Sequence, residues 1–348
     1  MRRLVIHQSV QSTRSGFTIV ELMMVVGILL FLIATSAIVV RNMGNKARER
    51  ATMATIVKVN GLVHDRIEAM RKALDSSKNQ KFIQSLINQK YTDYVNNPSL
   101  GAKYRGLPRP VMEILVRKDI FRQNLPQYIA ENPSVDTAMD NLIGAPGTAG
   151  KVGGDDGASI SSEYLYYILT NHEIYGVPPV GEDAFTTNEV ADTDGDGLKE
   201  FVDGWGRPLR FYRWPTRLIK PTGGTADRTI ASIFFDGLPP VAAAGFNEAD
   251  PLNVDADDPQ GRIQHEDDRS GNLLSPLFNS SATYTLGEYA TMNTFWLPLI
   301  VSAGEDGVLG LYEPHDQANN GVLAQPILPV VDGIYDNITN HNQRAGGR

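Results

Sequence analysis

"RSGFTIVELMMVVGILLFLIATSAIVV", Arg14 to Val40, carries one acidic residue, Glu21, and is otherwise uncharged after Arg14. The 24 residues from Phe17 to Val40 would make a helix of about 36 Å, enough to cross a hydrocarbon core of about 30 Å. Upstream, Met1–Gly16 contains Arg2, Arg3 and Arg14 and no acidic residue, like the charged region of a secretory signal. The apolar run outlasts the roughly 7–15 residues of a signal core, so the stretch reads as a retained anchor. Arg41, Lys46, Arg48 and Arg50 rival the leader arginines, and charge alone leaves the orientation open. A carboxylate this far into a span costs a few kcal/mol if unpaired. Glu21 therefore either has a partner or snorkels out from the interface.

The 348 residues suffice for one large or two modest domains. A hydrophobic share of 42% and a charged share of 21% are those of a globular chain rather than a disordered one. The net charge of −8, with no basic arm, argues against nucleic acid as the main partner. The chain has no cysteine, which excludes disulfides, zinc-thiolate sites and thiol nucleophiles. Metal ions are then the remaining means of closing loops.

Gly16, Phe17 and Thr18-Ile19-Val20-Glu21-Leu22, behind a basic leader and ahead of about twenty apolar residues, resemble the class III signal of type IV pilins and type II secretion pseudopilins. In that family a prepilin peptidase cuts after the glycine on the cytoplasmic side and methylates the new amino terminus. The resemblance implies a mature chain beginning at Phe17, with Glu21 as its fifth residue, the leader inside and the bulk outside. It also implies a partner for Glu21: the charged amino terminus of a neighbouring subunit, paired as helices pack in a filament core. The cost of a buried uncompensated charge would then fix the axial register between subunits.

The chain reads as α+β: a long hydrophobic spine helix, then short helices and a small antiparallel sheet. Its segments are a leader (1–16), a transmembrane or filament-core helix (17–40), an amphipathic continuation (41–75), a helical insertion with loops (76–190) and a β-rich region with Asp-rich loops (191–348). Met53, Ile56, Val57, Val63, Ile67, Met70 and Leu74 form the apolar stripe of the continuation, and "DSSKNQ" from Asp75 is its stop. A break near Gly44 is the alternative to one continuous helix. "KFIQSLINQKYTDYV", "PVMEILVRKDIFRQNLPQYI" and "SEYLYYILTN" read as helices, the last with Tyr and Leu in the core. "PLRFYRW", "TIASIFFDG", "TFWLPLIVSAG" and "GVLGLYEP" read as strands. Asn141–Ser161 and the acidic stretch "NEADPLNVDADDPQGRIQHEDDRSGN" read as loops.

"DTDGDGLKEFVD", Asp192 to Asp203, follows the EF-hand loop pattern. Asp192, Asp194 and Asp196 fall on the first, third and fifth positions, and Gly197 on the sixth, where a sharp turn is needed. The Leu198 carbonyl falls on the seventh position, Glu200 on the ninth and Asp203 on the twelfth. Oxygens at alternating positions suit calcium, although Asp203 is shorter than the usual bidentate Glu. Flanking helices are not evident, so an EF-like loop within a larger domain is expected, with a metal-free Asp-Gly turn as the alternative.

"DGWGRPLRFYR" then resembles the Asp-x-Trp-Gly-x-Pro stretch of major pseudopilins, with Trp205 as core anchor, Gly206 for an unusual backbone angle and Pro208 fixing the approach. "SAGEDGVLGLYEPHD" resembles, more loosely, that family's C-terminal calcium loop, with Glu305, Asp306 and Asp316 as implied ligands.

Catalytic signals are lacking: the six histidines are scattered, and no HExxH, P-loop or GxSxG pattern occurs. The sequence thus points to a non-enzymatic structural subunit of a type II secretion-type pseudopilus, most similar to the major pseudopilin but enlarged. It would be held in the cytoplasmic membrane and then assembled into a periplasmic filament that helps export folded proteins. The implied partners are other copies of the chain and other pseudopilins, the prepilin peptidase, an inner-membrane assembly platform and, before assembly, membrane lipid. Calcium is the implied structural cofactor. An extracellular type IV pilin or minor pilin is the nearest alternative, and a membrane-anchored binding protein or enzyme the alternative of another class.

Overall fold

A computed structural model describes residues 18–96, 109–129, 131–142, 157–213, 298–316, 327 and 332–340. The leader, Gly16 and Phe17, the strand expected at "TIASIFFDG" and the acidic stretch from Asn247 lie outside them. The chain divides into two compact units, Met1–Lys46 and Ala47–Arg348. Helices and small antiparallel sheets together make it an α+β protein.

In the first unit, Thr18 and Glu21 begin helix α1 (Ile19–Asp75) with a reciprocal cap. The Thr18 amide donates to Glu21 Oε2 at 2.8 Å, and the Glu21 amide donates to Thr18 Oγ1 at 3.2 Å. Two of the amides that every helix start leaves unpaired are satisfied in this way. The window Ile19–Ser36 is long and apolar enough to cross a membrane. Its large side chains, from Ile19 to Ile33, are exposed.

The helix α1 is 57 residues long and continues through Gly44 without a break. In the second unit it buries Ile56, Val59, Val63, Ile67, Met70 and Leu74, each 5% exposed or less. The stripe expected from sequence included Val57, which is 46% exposed. Val59 takes its place, because residues three and seven beyond Ile56 share its face while the next residue turns about 100° away.

The helix stops where expected. Ser76 Oγ and Asn79 Nδ2 donate to the Ala73 carbonyl at 2.7 and 2.8 Å, and α2 (Ser77–Asn96) starts at once. Helix α3 (Arg109–Asn124) ends short of "LPQYI", where Asn124 Nδ2 bonds the Ile120 carbonyl at 2.7 Å and Pro126 follows. Helix α4 (Pro133–Leu142) was not anticipated, although its signals are plain: Pro133 opens it and Asn132 Oδ1 accepts from the amides of Ser134 and Val135 at 3.1 and 3.3 Å. Helix α5 (Ile160–Asn171) is almost wholly buried.

Strands β1 (Val190–Ala191) and β2 (Glu200–Phe201) form an antiparallel hairpin with Val190 opposite Phe201. Strands β3 (Arg210–Tyr212), β4 (Leu299–Ser302) and β5 (Ile338–Thr339) form an antiparallel sheet in that order, with Phe211 opposite Ile300 and Ser302 opposite Ile338. "GVLGLYEP" forms no strand: Gly307 and Gly310 have φ of 77° and 65°, outside what a ladder allows, and Leu311 makes a lone bridge.

One apolar cluster joins these elements, running from the Ile56–Leu74 stripe through Leu165 and Leu169 of α5 to Phe201, Phe211, Ile300 and Ile338. The start of α5 ties both sheets to it. The Phe211 amide donates to Ser161 Oγ at 3.0 Å, and the Phe201 amide donates to Ser162 Oγ at 2.9 Å, so two serines complete the strands' hydrogen bonding.

Candidate metal centre

The loop from Asp192 to Lys199 closes the β1–β2 hairpin, so strands rather than helices flank the EF-like motif. Asp192 braces the loop by accepting from the amides of Gly195 and Gly197 at 2.7 and 3.1 Å. Asp194 Oδ1 accepts from the Asp196 amide at 3.2 Å, and Asp196 Oδ1 accepts from the Leu198 amide at 2.7 Å. Gly195 and Gly197 have φ of 80° and 99°, which allows the chain to double back between acidic residues.

The hairpin's base is held from two sides. Lys58 of α1 donates to the Ala184 carbonyl at 2.6 Å, pairs with Glu189 at 2.9 Å and lies 4.7 Å from the centre of the Phe185 ring. Phe201 stacks edge-on with Phe185 and Tyr166, at 5.1 and 5.4 Å between centres.

From α5 a further carboxylate arrives. Glu163 is 1% exposed, and neither of its oxygens receives a hydrogen bond, the one proton of the adjacent Ser159 hydroxyl being given to Asp194. One ligand atom each from Glu163, Asp194 and Asp196 lie within 4.8 Å of one another, and among the described residues this is the group so arranged. Ser159, just ahead of α5, donates its hydroxyl to Asp194 Oδ2 at 2.7 Å and so fixes the loop to the helix start.

Burial pushes the Glu163 carboxyl up to about 8; the adjacent Ser159 hydroxyl pulls the other way, and the charges of Asp196, Asp194 and Glu200 add to the rise. Glu200 is fully buried and is pushed up to about 7, chiefly by burial and then by Asp194 and Asp192, while hydrogen bonding from Thr193 opposes it. Glu200 Oε1 accepts from the Thr193 amide at 2.5 Å, and its Oε2 has no partner. Carboxylates crowded together out of water are stable when protonated or when a cation joins them.

Asp203 belongs to the next turn. Its Oδ1 accepts from the amides of Trp205 and Arg207 at 2.8 and 3.0 Å, and its Oδ2 accepts from Ser302 Oγ at 2.6 Å. Trp205 packs half-buried against the core, Gly206 has φ of 80°, and Pro208 bridges to Val202.

In the C-terminal loop, Asp306 Oδ1 accepts from the Val308 amide at 2.8 Å, and the Asp306 amide donates to Asp336 Oδ2 at 3.0 Å. Burial, and after it the Asp306 charge, raises the Asp336 carboxyl, against the bonds it accepts from nearby amides. Glu305 is exposed, and the Asp316 amide bonds the Glu313 carbonyl at 3.1 Å.

Compared with family models, with curated proteins and with solved structures, the chain matches none. Glu163 and Asp336 are the acidic residues that sequence reasoning missed. For Glu163 a signal existed: "SISSE" places four polar side chains at the head of an otherwise apolar helix, where each needs a buried partner.

Proposed function

We propose that the chain is a membrane-anchored filament subunit of the pilin type, most similar to the major pseudopilin of type II secretion, and acts by assembly rather than by turnover. The observation that carries this reading is α1 itself. A single helix contains both an exposed apolar segment, broken only by Glu21 near its start, and a stripe that contributes to the core of the second unit. A signal peptide does not need that continuity, and a simple anchor does not need the carboxylate. The Gly16-Phe17 pair four residues ahead of Glu21 supports the same reading. In the proposed life cycle the chain sits in the cytoplasmic membrane, is cut after Gly16, and packs its apolar helix against those of other copies in a periplasmic filament that moves folded cargo.

Mass spectrometry of the membrane-extracted protein tests this, with and without a prepilin peptidase. The expected product begins at a methylated Phe17 only when the peptidase is present. A chain still starting at Met1 in its presence would defeat the reading.

A further inference from the structure

We propose that Glu163, Asp194 and Asp196 together bind one divalent cation of the calcium class, with α5 supplying one ligand and the β1–β2 loop the other two. The proposal is independent of the filament reading.

The acidic loop alone would not carry it, since Asp-Gly turns are common without metal. The deciding observation is Glu163, whose two oxygens are sealed from water, have no hydrogen-bond partner and lie against the loop's carboxylates. A buried carboxylate of this kind is costly unless something positive meets it. Among the described residues, Lys199 beside the loop pairs with Glu182 at 2.9 Å, and Lys58 at the hairpin's base pairs with Glu189 at 2.9 Å. A bound ion would supply the positive charge that no described side chain brings to Glu163.

The donor set selects its class. Three carboxylates without His or Cys favour a hard cation over zinc or copper. Oxygens around one calcium stand about 2.3–2.6 Å from it in adaptable geometry, and ligand atoms within 4.8 Å of one another can share such an ion. Magnesium at about 2.0–2.1 Å demands near-octahedral placement and sheds its waters reluctantly. Ligands drawn from two separate elements meet the looser requirement of calcium more readily. Occupancy would join the start of α5 to the hairpin by an ionic clip, in a chain with no cysteine to do so covalently.

The test uses the full chain extracted in detergent, stripped of divalent ions and titrated with CaCl2 or MgCl2 by calorimetry and thermal melting. Calcium at a hundredfold excess over Kd should raise the melting midpoint by about 4 °C. Glu163→Gln should bind one equivalent of calcium fewer than the native chain, and should melt above the calcium-free native chain because a neutral amide replaces a buried acid. Should that variant not fold, Asp196→Asn in the hairpin loop is expected to lose the same equivalent. Unchanged calcium stoichiometry and affinity in Glu163→Gln would overturn the proposal. So would an absence of binding by the native chain, or a magnesium shift equal to that of calcium.

Discussion

Arg213 and Glu131 face each other as a buried, two-pronged ion pair: Nη2 lies 2.6 Å from Oε1 and Nη1 lies 2.8 Å from Oε2, with the side chains 3% and 1% exposed. Glu131 Oε2 also accepts from the Gln127 amide at 2.7 Å, and Arg213 Nη1 donates to the Leu125 carbonyl at 3.0 Å. The pair fastens the segment between α3 and α4 to the residue that follows β3, so the helical insertion shares the sheet's fate. Glu131→Ala or Arg213→Ala should each destabilise the protein by about 3–5 kcal/mol, because the surviving charge stays buried without its mate. Replacing both at once, Glu131→Leu with Arg213→Met, should recover most of the loss. Urea unfolding of the detergent-extracted chain measures it; single variants within about 1 kcal/mol of the native chain would show that the pair contributes little.

Gly204 packs against the backbone of α1. Its amide donates to Thr52 Oγ1 at 2.8 Å, and a Cβ there would come within 2.9 Å of three backbone atoms of Arg48, the nearest its carbonyl oxygen. Helix backbone cannot yield as a flexible side chain would. Gly204→Ala is expected to cost about 2–4 kcal/mol, in the range of overpacking plus a lost buried hydrogen bond. Gly44→Ala, where a Cβ would meet nothing within 4 Å, should instead be neutral or stabilise by up to about 1 kcal/mol. Equal melting points for the two variants would contradict this account.

The pH dependence of the calcium-free chain should carry the signature of Glu163. Its carboxyl ionises at about 8 when folded, against 4.5 for an ordinary glutamate, so between those values the folded state holds a proton that the unfolded state has released. The stabilisation from the protonated form is therefore complete below about pH 4.5 and lost as pH rises through about 8. At about 1.4 kcal/mol per unit, the change amounts to a few kcal/mol. Melting midpoints across this window should fall with pH for the stripped native chain, and less steeply for Glu163→Gln. Parallel profiles would show that the buried acid does not govern the slope.

Glu21 offers a separable pair of effects. Glu21→Ala removes the acceptor for the Thr18 amide and hydroxyl, at 2.8 and 3.0 Å, and should fray the first turn of α1 at a cost of about 1 kcal/mol. Glu21→Gln keeps an acceptor but no charge. Both variants should insert in membranes like the native chain, and both should assemble poorly if charge pairing sets the register in the proposed filament. Cross-linking of membrane fractions followed by electron microscopy reads this; filaments of normal number and length from Glu21→Gln would sink the register argument.

Local, contiguous signals were legible in the sequence, whereas features assembled across chain distance were not. The length and stop of α1 follow from a periodic stripe and a polar break, and the Asp192–Gly197 motif from its spacing. Glu163 sits in a different element from the aspartates it meets, and only the packing of α5 on the hairpin brings them together. Gly204 likewise owes its importance to Arg48 and Thr52, which the sequence does not place beside it. Val57 and Val59 are equally apolar neighbours, and helical phase measured from one fixed face was needed to separate them. "GVLGLYEP" has the composition of a strand, but its two glycines take positive φ and bend it out of any ladder.

The cap between Thr18 and Glu21 alters the thermodynamics to be expected of self-association. A carboxylate that already holds its own helix start is not an idle charge waiting in lipid. In the proposed filament, a neighbour's amino terminus would meet a carboxylate whose Oε2 already holds Thr18, leaving Oε1 to receive it. Polymerisation would then use a charge already oriented by its own helix start. Such prior orientation favours a fibre that rejects misaligned subunits.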